Sequence, residues 1–368
     1  MAACVALATV IAPSRAEETA SPRKLPVDPA AEKTLLEAGG PGMKIKRTTH
    51  FLVGYDSDAD ALQDFIARLE ATHRSTTRFL TRLGLERYEP TERLQVLFFA
   101  QRTRFLEYAK QLKSDATGAA GFYHHATNRA AFYDARSAPR IAALNERISG
   151  LEKTLRDHTT PSAQRPELAR NLALLRSERD NTVETIHQLV VQHEVAHEVF
   201  YNAGLHVPRA DNPSWIVEGL ACLFETPPTD RGAGLGAQND YRLINFREGL
   251  AGERNAAEAK TSQFDAACAN GRFVPLKRLI GETGLFNTQR EDVEYTYAET
   301  WALTYYLQRR QTEAFGKYLV ALSKRVPGKA HSPEEEVQEF ESIILPLDEE
   351  FTRKWLDFIL DLPVRLPQ

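Results

Sequence analysis

Residues 190–204 read Val-Val-Gln-His-Glu-Val-Ala-His-Glu-Val-Phe-Tyr-Asn-Ala-Gly, with His193 and His197 four apart and Glu194 directly after the first. On an α-helix, positions i and i+4 lie one turn apart on the same face. Both imidazoles can then direct a ring nitrogen at one zinc ion about 2.0–2.1 Å away. Glu194 falls about 100° round the helix from His193, beside the ion, where its carboxylate could take a proton from a water held there. The chemistry is hydrolysis with one zinc ion and Glu194 as general base. The same spacing also fits two satisfied core histidines, so the assignment turns on a third ligand.

That ligand is expected in "NPSWIVEGLACLFE", which begins 15 residues after His197. Asn212 is a suitable N-cap and Pro213 suits the first helical position, so a second helix is expected from Ser214 to Phe224. It presents Glu218 inward beside Trp215. Two imidazoles and one carboxylate leave a fourth tetrahedral position open, as in a catalytic rather than a structural site. A third histidine ten residues after the first is ruled out, because that position is Ala203. His206 and Asp211 are competing loop candidates, but either would leave Glu218 as an acid among Ile216, Val217, Leu220 and Ala221 with no stated partner.

The histidine pair needs a helix, and residues Thr182 to Leu205 provide one, with Ile186, Val190, Phe200 and Tyr201 on the histidine stripe and Gly204 as a stop. Upstream, "KRTTHFLVGYD" and "RLQVLFFA" carry strand composition around a helical segment from Asp58 to Leu83. "GFYHHATNRAAFYD" reads as a hairpin with a second strand from Ala130 to Tyr133, positioned to align an extended substrate by backbone pairing. His124 and His125 are adjacent on a strand and so point to opposite faces, which makes them polar residues flanking a turn rather than ligands. Between 139 and 182, Ile141, Leu144, Ile148, Leu151 and Leu155, then Leu168, Leu172 and Leu175, recur at steps of three and four. This predicts a coiled helical hairpin inserted before the metal helix. Residues Glu313 to Leu362 read as amphipathic helices. The fold class expected is α+β: a small mixed N-terminal sheet with helices over 45–135, a hairpin insertion over 136–182, metal-binding helices over 183–226 and a mainly helical lobe over 227–362.

The N-terminal run from Ala2 to Ile11, followed by Ser14-Arg15-Ala16, has the form of a signal peptide over 1–16, with a linker over 17–44. Export to the periplasm or medium is the expectation, and a cytoplasmic location follows if the run is not a signal. No other apolar run approaches bilayer length. The 368 residues include 46 basic and 50 acidic ones, for a net charge of -4. With a mean hydropathy of -0.41, this excludes the basic field that nucleic-acid binding needs. Of three cysteines, Cys222 and Cys268 would remain after leader removal, either paired or as buried thiols. That supply excludes a cysteine-based zinc site.

His193-Glu194-x-x-His197, followed by Trp215-x-x-Glu218-Gly219-x-Ala221, resembles the gluzincin zinc peptidases, the group of thermolysin and aminopeptidase N. More narrowly, it resembles a bacterial peptidase-MA-like family of unknown function, along with the 121–134 hairpin, "NAGL", "FETPP", "NDYRLINFR" and "YAETWALTYYL". The resemblance implies a metallopeptidase scaffold acting on peptides or proteins. It also implies a phenol near the transition state, with Tyr297 in that position and Tyr295 the alternative. Cys222 stands where thermolysin-like enzymes carry an acid behind a histidine ligand, so that carboxylate must come from elsewhere or be missing. Arg242 is a candidate for a substrate carboxylate or a surface residue. A second reading is an exported binding or assembly protein with a structural or vestigial metal, recruiting a protein partner through the hairpin at 139–180.

Overall fold

A computed structural model describes residues 25–85, 90–226, 237–252, 255–286 and 292–364; the expected signal peptide lies outside them. The stretch read as a linker contains helix α1 (Pro29–Gly39). Asp28 starts it by accepting from the amides of Ala30 and Ala31, and Pro29 sits in the first turn. Leu35 is fully buried and packs where a Cβ on Gly54 would stand. The linker expectation therefore fails for residues 29–39, which the start signal at Asp28-Pro29 makes helical.

Strands β1 (Lys44–Arg47) and β2 (Phe51–Tyr55), helix α2 (Ala59–Arg82), strand β3 (Leu94–Phe99), helix α3 (Arg102–Gln111) and strands β4 (Gly121–His124) and β5 (Arg129–Tyr133) complete the α+β part. The sheet is mixed, in the order β1-β2-β3-β5-β4, with β2, β3 and β5 parallel and the two outer strands antiparallel to their neighbours. Both faces are covered. Leu97, Phe99, Ala131 and Tyr133 pack toward α3, and Val96, Phe98, Ala130 and Phe132 pack toward α2 and Val191, Val195 and Val199 of the helix that carries the histidine pair. This is why β3 reads as a continuous apolar run. Because β5 lies between β3 and β4, its backbone is paired on both sides. The expectation that Ala130–Tyr133 aligns a substrate is thereby corrected: the free edge beside the metal helix is β4.

On α2, His73 is buried and stacks on His50 at 3.8 Å, and His50 in turn bonds Glu70 at 2.6 Å. Burial, reinforced by the neighbouring His50, lowers the pKa of His73 to about 3, against an opposing pull from Glu70. The unfolded chain takes up this proton near pH 6.5 and the folded one does not. Stability is therefore full above that pH and falls as pH drops toward 3. At pH 5 the loss is about 2 kcal/mol. His73→Phe, which keeps the ring stack, is expected to remove this part of the slope when urea midpoints are compared between pH 7.5 and 5.

Helices α4 (Pro139–Arg156) and α5 (Arg165–Asn202) form the expected antiparallel hairpin, with Ile141, Leu144, Ile148 and Leu172 buried. The hairpin is not an insertion ahead of a separate metal helix. Its second arm and the metal helix are one element of 38 residues, about 57 Å long. The polar stretch between Arg176 and Val183 contains neither Gly nor Pro, so nothing in it stops the helix. Gly204, at φ 75°, ends it as expected, with the amides of Leu205 and His206 returning to the Phe200 carbonyl.

The remaining helices are α6 (Ser214–Cys222), α7 (Asp240–Ala251), α8 (Phe264–Ala269), α9 (Leu276–Gly281), α10 (Val293–Arg310), α11 (Thr312–Leu322), α12 (Pro333–Ile343) and α13 (Glu349–Leu360). They share one core around α6 and α10 that contains Trp215, Trp301 and Trp355. No described helix is long and apolar enough to cross a membrane. Cys222 and Cys268 are both free thiols.

Candidate metal centre

α5 and α6 bring His193, His197 and Glu218 together. Nε2 of His193 is 3.0 Å from Nε2 of His197 and 3.1 Å from Oε2 of Glu218, and His197 Nε2 is 3.5 Å from the same oxygen. Ligands about 2.05 Å from a tetrahedral zinc ion are about 3.3 Å apart, so the triangle has the size of a zinc face. The chemistry of the donors agrees. Nδ1 of His193 faces Glu225 Oε1 at 3.0 Å and so carries the proton, which leaves its Nε2 lone pair facing His197 and Glu218. With both imidazoles neutral and protonated at Nδ1, three electron pairs would converge on one point, an arrangement that a cation would reconcile. Although burial opposes it, the two imidazoles hold the Glu218 carboxyl well below the usual range.

α6 starts differently from the sequence expectation. Pro213 is the N-cap residue and makes no side-chain bond. Asn212 instead closes the preceding loop, accepting from the Val207 amide at 3.0 Å and donating to the Val207 carbonyl at 2.9 Å. Asp211 is also occupied: its Oδ2 accepts from the His331 amide at 2.8 Å and its carbonyl accepts from Arg325. His206 is buried against the rings of Phe200 and Tyr201. Neither loop candidate belongs to the metal-sized groups among the described residues, whereas Glu218 does.

The glycine after Glu218 sets how closely α6 approaches α10. A Cβ on Gly219 would collide with Thr304 Oγ1 and come within 3.1 Å of the Thr300 carbonyl. Gly219→Ala is expected to cost about 1–3 kcal/mol of stability, read from the denaturation midpoint, because α6 must withdraw and carry Glu218 with it.

Sequence reasoning missed Glu225 as the carboxylate behind His193. Its oxygens accept from Arg242 Nε at 2.8 Å and Nη2 at 2.7 Å, and from Asn239 Nδ2 at 2.9 Å. Against the cost of burial, Arg242 lowers the Glu225 pKa to about 2. α6 ends at Cys222, short of the expected Phe224, and Glu225 stands three residues beyond it, so helical spacing from Glu218 gave no signal for it. Arg242 is neither a surface residue nor free for a substrate: it is 8% exposed and also bonds Glu294 at 2.8 Å. Cys222 joins His193 and Glu225 in a second metal-sized group. Burial raises its thiol to about 11 and Arg242 occupies both Glu225 oxygens, so the donors of this second group are engaged within the protein. Nδ1 of His197 is buried with no partner among the described residues.

Glu194 is the one residue of 191–200 that is not buried, and its Oε2 accepts from the Tyr123 amide on β4 at 2.8 Å. Desolvation raises its pKa, while the two histidines pull the other way. Tyr297 lies edge-on to His193 at 6.1 Å, held between Arg242 at 5.1 Å and Phe286 at 5.1 Å. Tyr295, two residues earlier, lies about 200° round the helix, and both tyrosines pack on the helical core. α10 begins at Val293 rather than near Tyr297. His124 ends β4 with its Nδ1 3.0 Å from Thr127 Oγ1, the turn role expected of it.

Glu198, next to His197, is fully buried, and burial pushes its carboxyl pKa well up against a weaker opposing pull from the Gln95 backbone. Glu198→Met is expected to stabilise the fold by about 1–3 kcal/mol, seen as a raised melting temperature, since it replaces a poorly compensated buried carboxyl by an apolar group of similar volume.

A family model described as a protein of unknown function, DUF1570, matches residues 187–329, a span containing both histidines, Glu194, Glu218, Glu225, Arg242 and Tyr297. No curated protein and no solved structure matches the chain.

Proposed function

We propose that the protein is a zinc-dependent peptidase of the gluzincin kind, with His193, His197 and Glu218 as ligands of one zinc ion. The observation that carries this reading is the triangle of Nε2, Nε2 and Oε2 at 3.0, 3.1 and 3.5 Å, beside a partly exposed carboxylate. When bound, zinc supplies Lewis-acid activation of water and of a carbonyl group. Glu194 takes the proton from the attacking water and passes it to the leaving amine; the Tyr123 amide holds its Oε2 so that the carboxylate stays on the β4 side. Tyr297 offers its hydroxyl to the developing oxyanion. β4, as the sheet edge, aligns the extended peptide by backbone pairing, a role β5 cannot take.

The test is metal analysis together with digestion of a peptide library read by mass spectrometry. The wild type is expected to carry one zinc per chain and Glu218→Ala none. Cleavage should disappear with chelator and return with zinc. A chain that binds no zinc, or that cleaves nothing when loaded, overturns the reading.

The binding-protein alternative draws on the hairpin, where Leu174 is 62% exposed beside a groove lined by Arg147, Gly150, Leu151 and Asn171. Removing residues 139–180 would not test it cleanly, because Ile141, Leu144 and Leu175 belong to the sheet core. Shortening the tip alone is the usable variant: lost partner recovery with intact cleavage marks the hairpin as an accessory arm.

A further inference from the structure

The site's wall on the β4 side is aromatic and held in place by its own contacts. Tyr201 follows His197 by four residues and continues the ligand face of α5 by one turn. Its ring lies 5.5 Å from Tyr123 on β4, 6.4 Å from His125 in the turn and 5.2 Å from His206 in the loop after α5. The Tyr123 hydroxyl donates to Asn128 Oδ1 at 2.8 Å. Asn128 and Asn202 exchange amide hydrogen bonds at 2.9 and 2.8 Å. Asn128 takes the left-handed conformation, φ 51°, which Asn tolerates better than most residues. The turn is thus clasped to the end of the metal helix, and both tyrosine rings are fixed before any ligand arrives. Tyr123 and Tyr201 are half-buried and His125 is exposed, so part of each side chain stays in contact with solvent. The Tyr123 amide bonds Glu194, which places the wall directly beside the proposed base.

Resting on the peptidase reading, we propose that Tyr123, Tyr201 and His125 form the subsite that receives an aromatic side chain of the peptide, next to the bond cut. Ring pairs at centroid separations of this kind favour an aromatic over an aliphatic of equal area by about two- to tenfold. A cationic side chain would gain cation–π attraction from the tyrosine rings but would outrank an aromatic one only with a facing carboxylate. Glu194 turns to the Tyr123 amide and Glu198 is fully buried, so neither of these acids is offered to it.

The test uses zinc-loaded protein and peptides that differ only at Phe, Leu, Arg or Ala beside the scissile bond. kcat/KM is expected to favour Phe over Leu about fivefold and over Ala by more, mostly through KM, with Arg below Phe. Tyr201→Ala and Tyr123→Ala bring the Phe-to-Leu ratio to about one, and Tyr201→Phe keeps it. Should the alanine variants unfold, Tyr201→Leu carries the same expectation. The dissociation constants of these peptides for Glu194→Gln follow the same order without turnover. Equal kcat/KM for Phe and Leu, a preference for Arg, or a ratio that survives loss of either ring overturns the proposal. Cleavage of no peptide by the wild type sinks the peptidase reading separately, and equal affinities of Phe and Leu peptides for Glu194→Gln then sink the platform as well.

Discussion

Glu194→Gln is expected to lower kcat for peptide hydrolysis by about 10³-fold or more while leaving one zinc per chain. The loss corresponds to about 4 kcal/mol of barrier. The substitution keeps the side chain's size and its bond from the Tyr123 amide, since the amide oxygen still accepts. It removes only the capacity to take and return a proton. Neither His193 nor His197 depends on Glu194 for its orientation: His193 is held by Glu225, and both lie on a helix that continues through Asn202. Parallel metal analysis and steady-state kinetics check the prediction. A variant that keeps both its zinc and its turnover shows that some other group is the base.

Arg242→Leu is expected to cost about 3–5 kcal/mol of stability, because it leaves Glu225 as a buried carboxylate without its counter-charge. The partners that remain, Asn239 and His193, do not neutralise it. Zinc affinity should fall about 10- to 100-fold, since Glu225 is what fixes the tautomer and direction of the His193 ring. The double variant Arg242→Leu with Glu225→Leu separates the two effects. Replacing both members of a buried pair by apolar groups is often close to neutral for stability, so urea unfolding should recover while zinc competition with a chelator should not. A single variant losing less than about 1 kcal/mol would mean that Arg242 belongs to the surface electrostatics after all.

The placement of the candidate site's side chains was largely legible in the sequence. His193, Glu194 and His197 sit within five residues of one helix, and Glu218 lies on the next. The sheet strands and the hairpin were also readable from their hydrophobic periods. The expectations that failed involve competition between distant groups. Asn212 had the chemistry of a cap, but the Val207 backbone claimed its side chain. Arg242 looked like a surface residue, but in the fold Glu225 and, from α10, Glu294 and Tyr297 enclose it. Ala130–Tyr133 looked like an available strand, but β3 pairs with it from the far side.

The residue order alone settles which side chains share a helical face, because the 3.6-residue turn is a property of the local backbone and needs no partner. It does not settle which carboxylate stands behind His193, which strand is left at the sheet edge, or which acid goes into the core. Those depend on desolvation and pairing between elements far apart in the chain. Their energies exist only once α5, α6, α7 and the sheet have assembled and excluded water from the space between them.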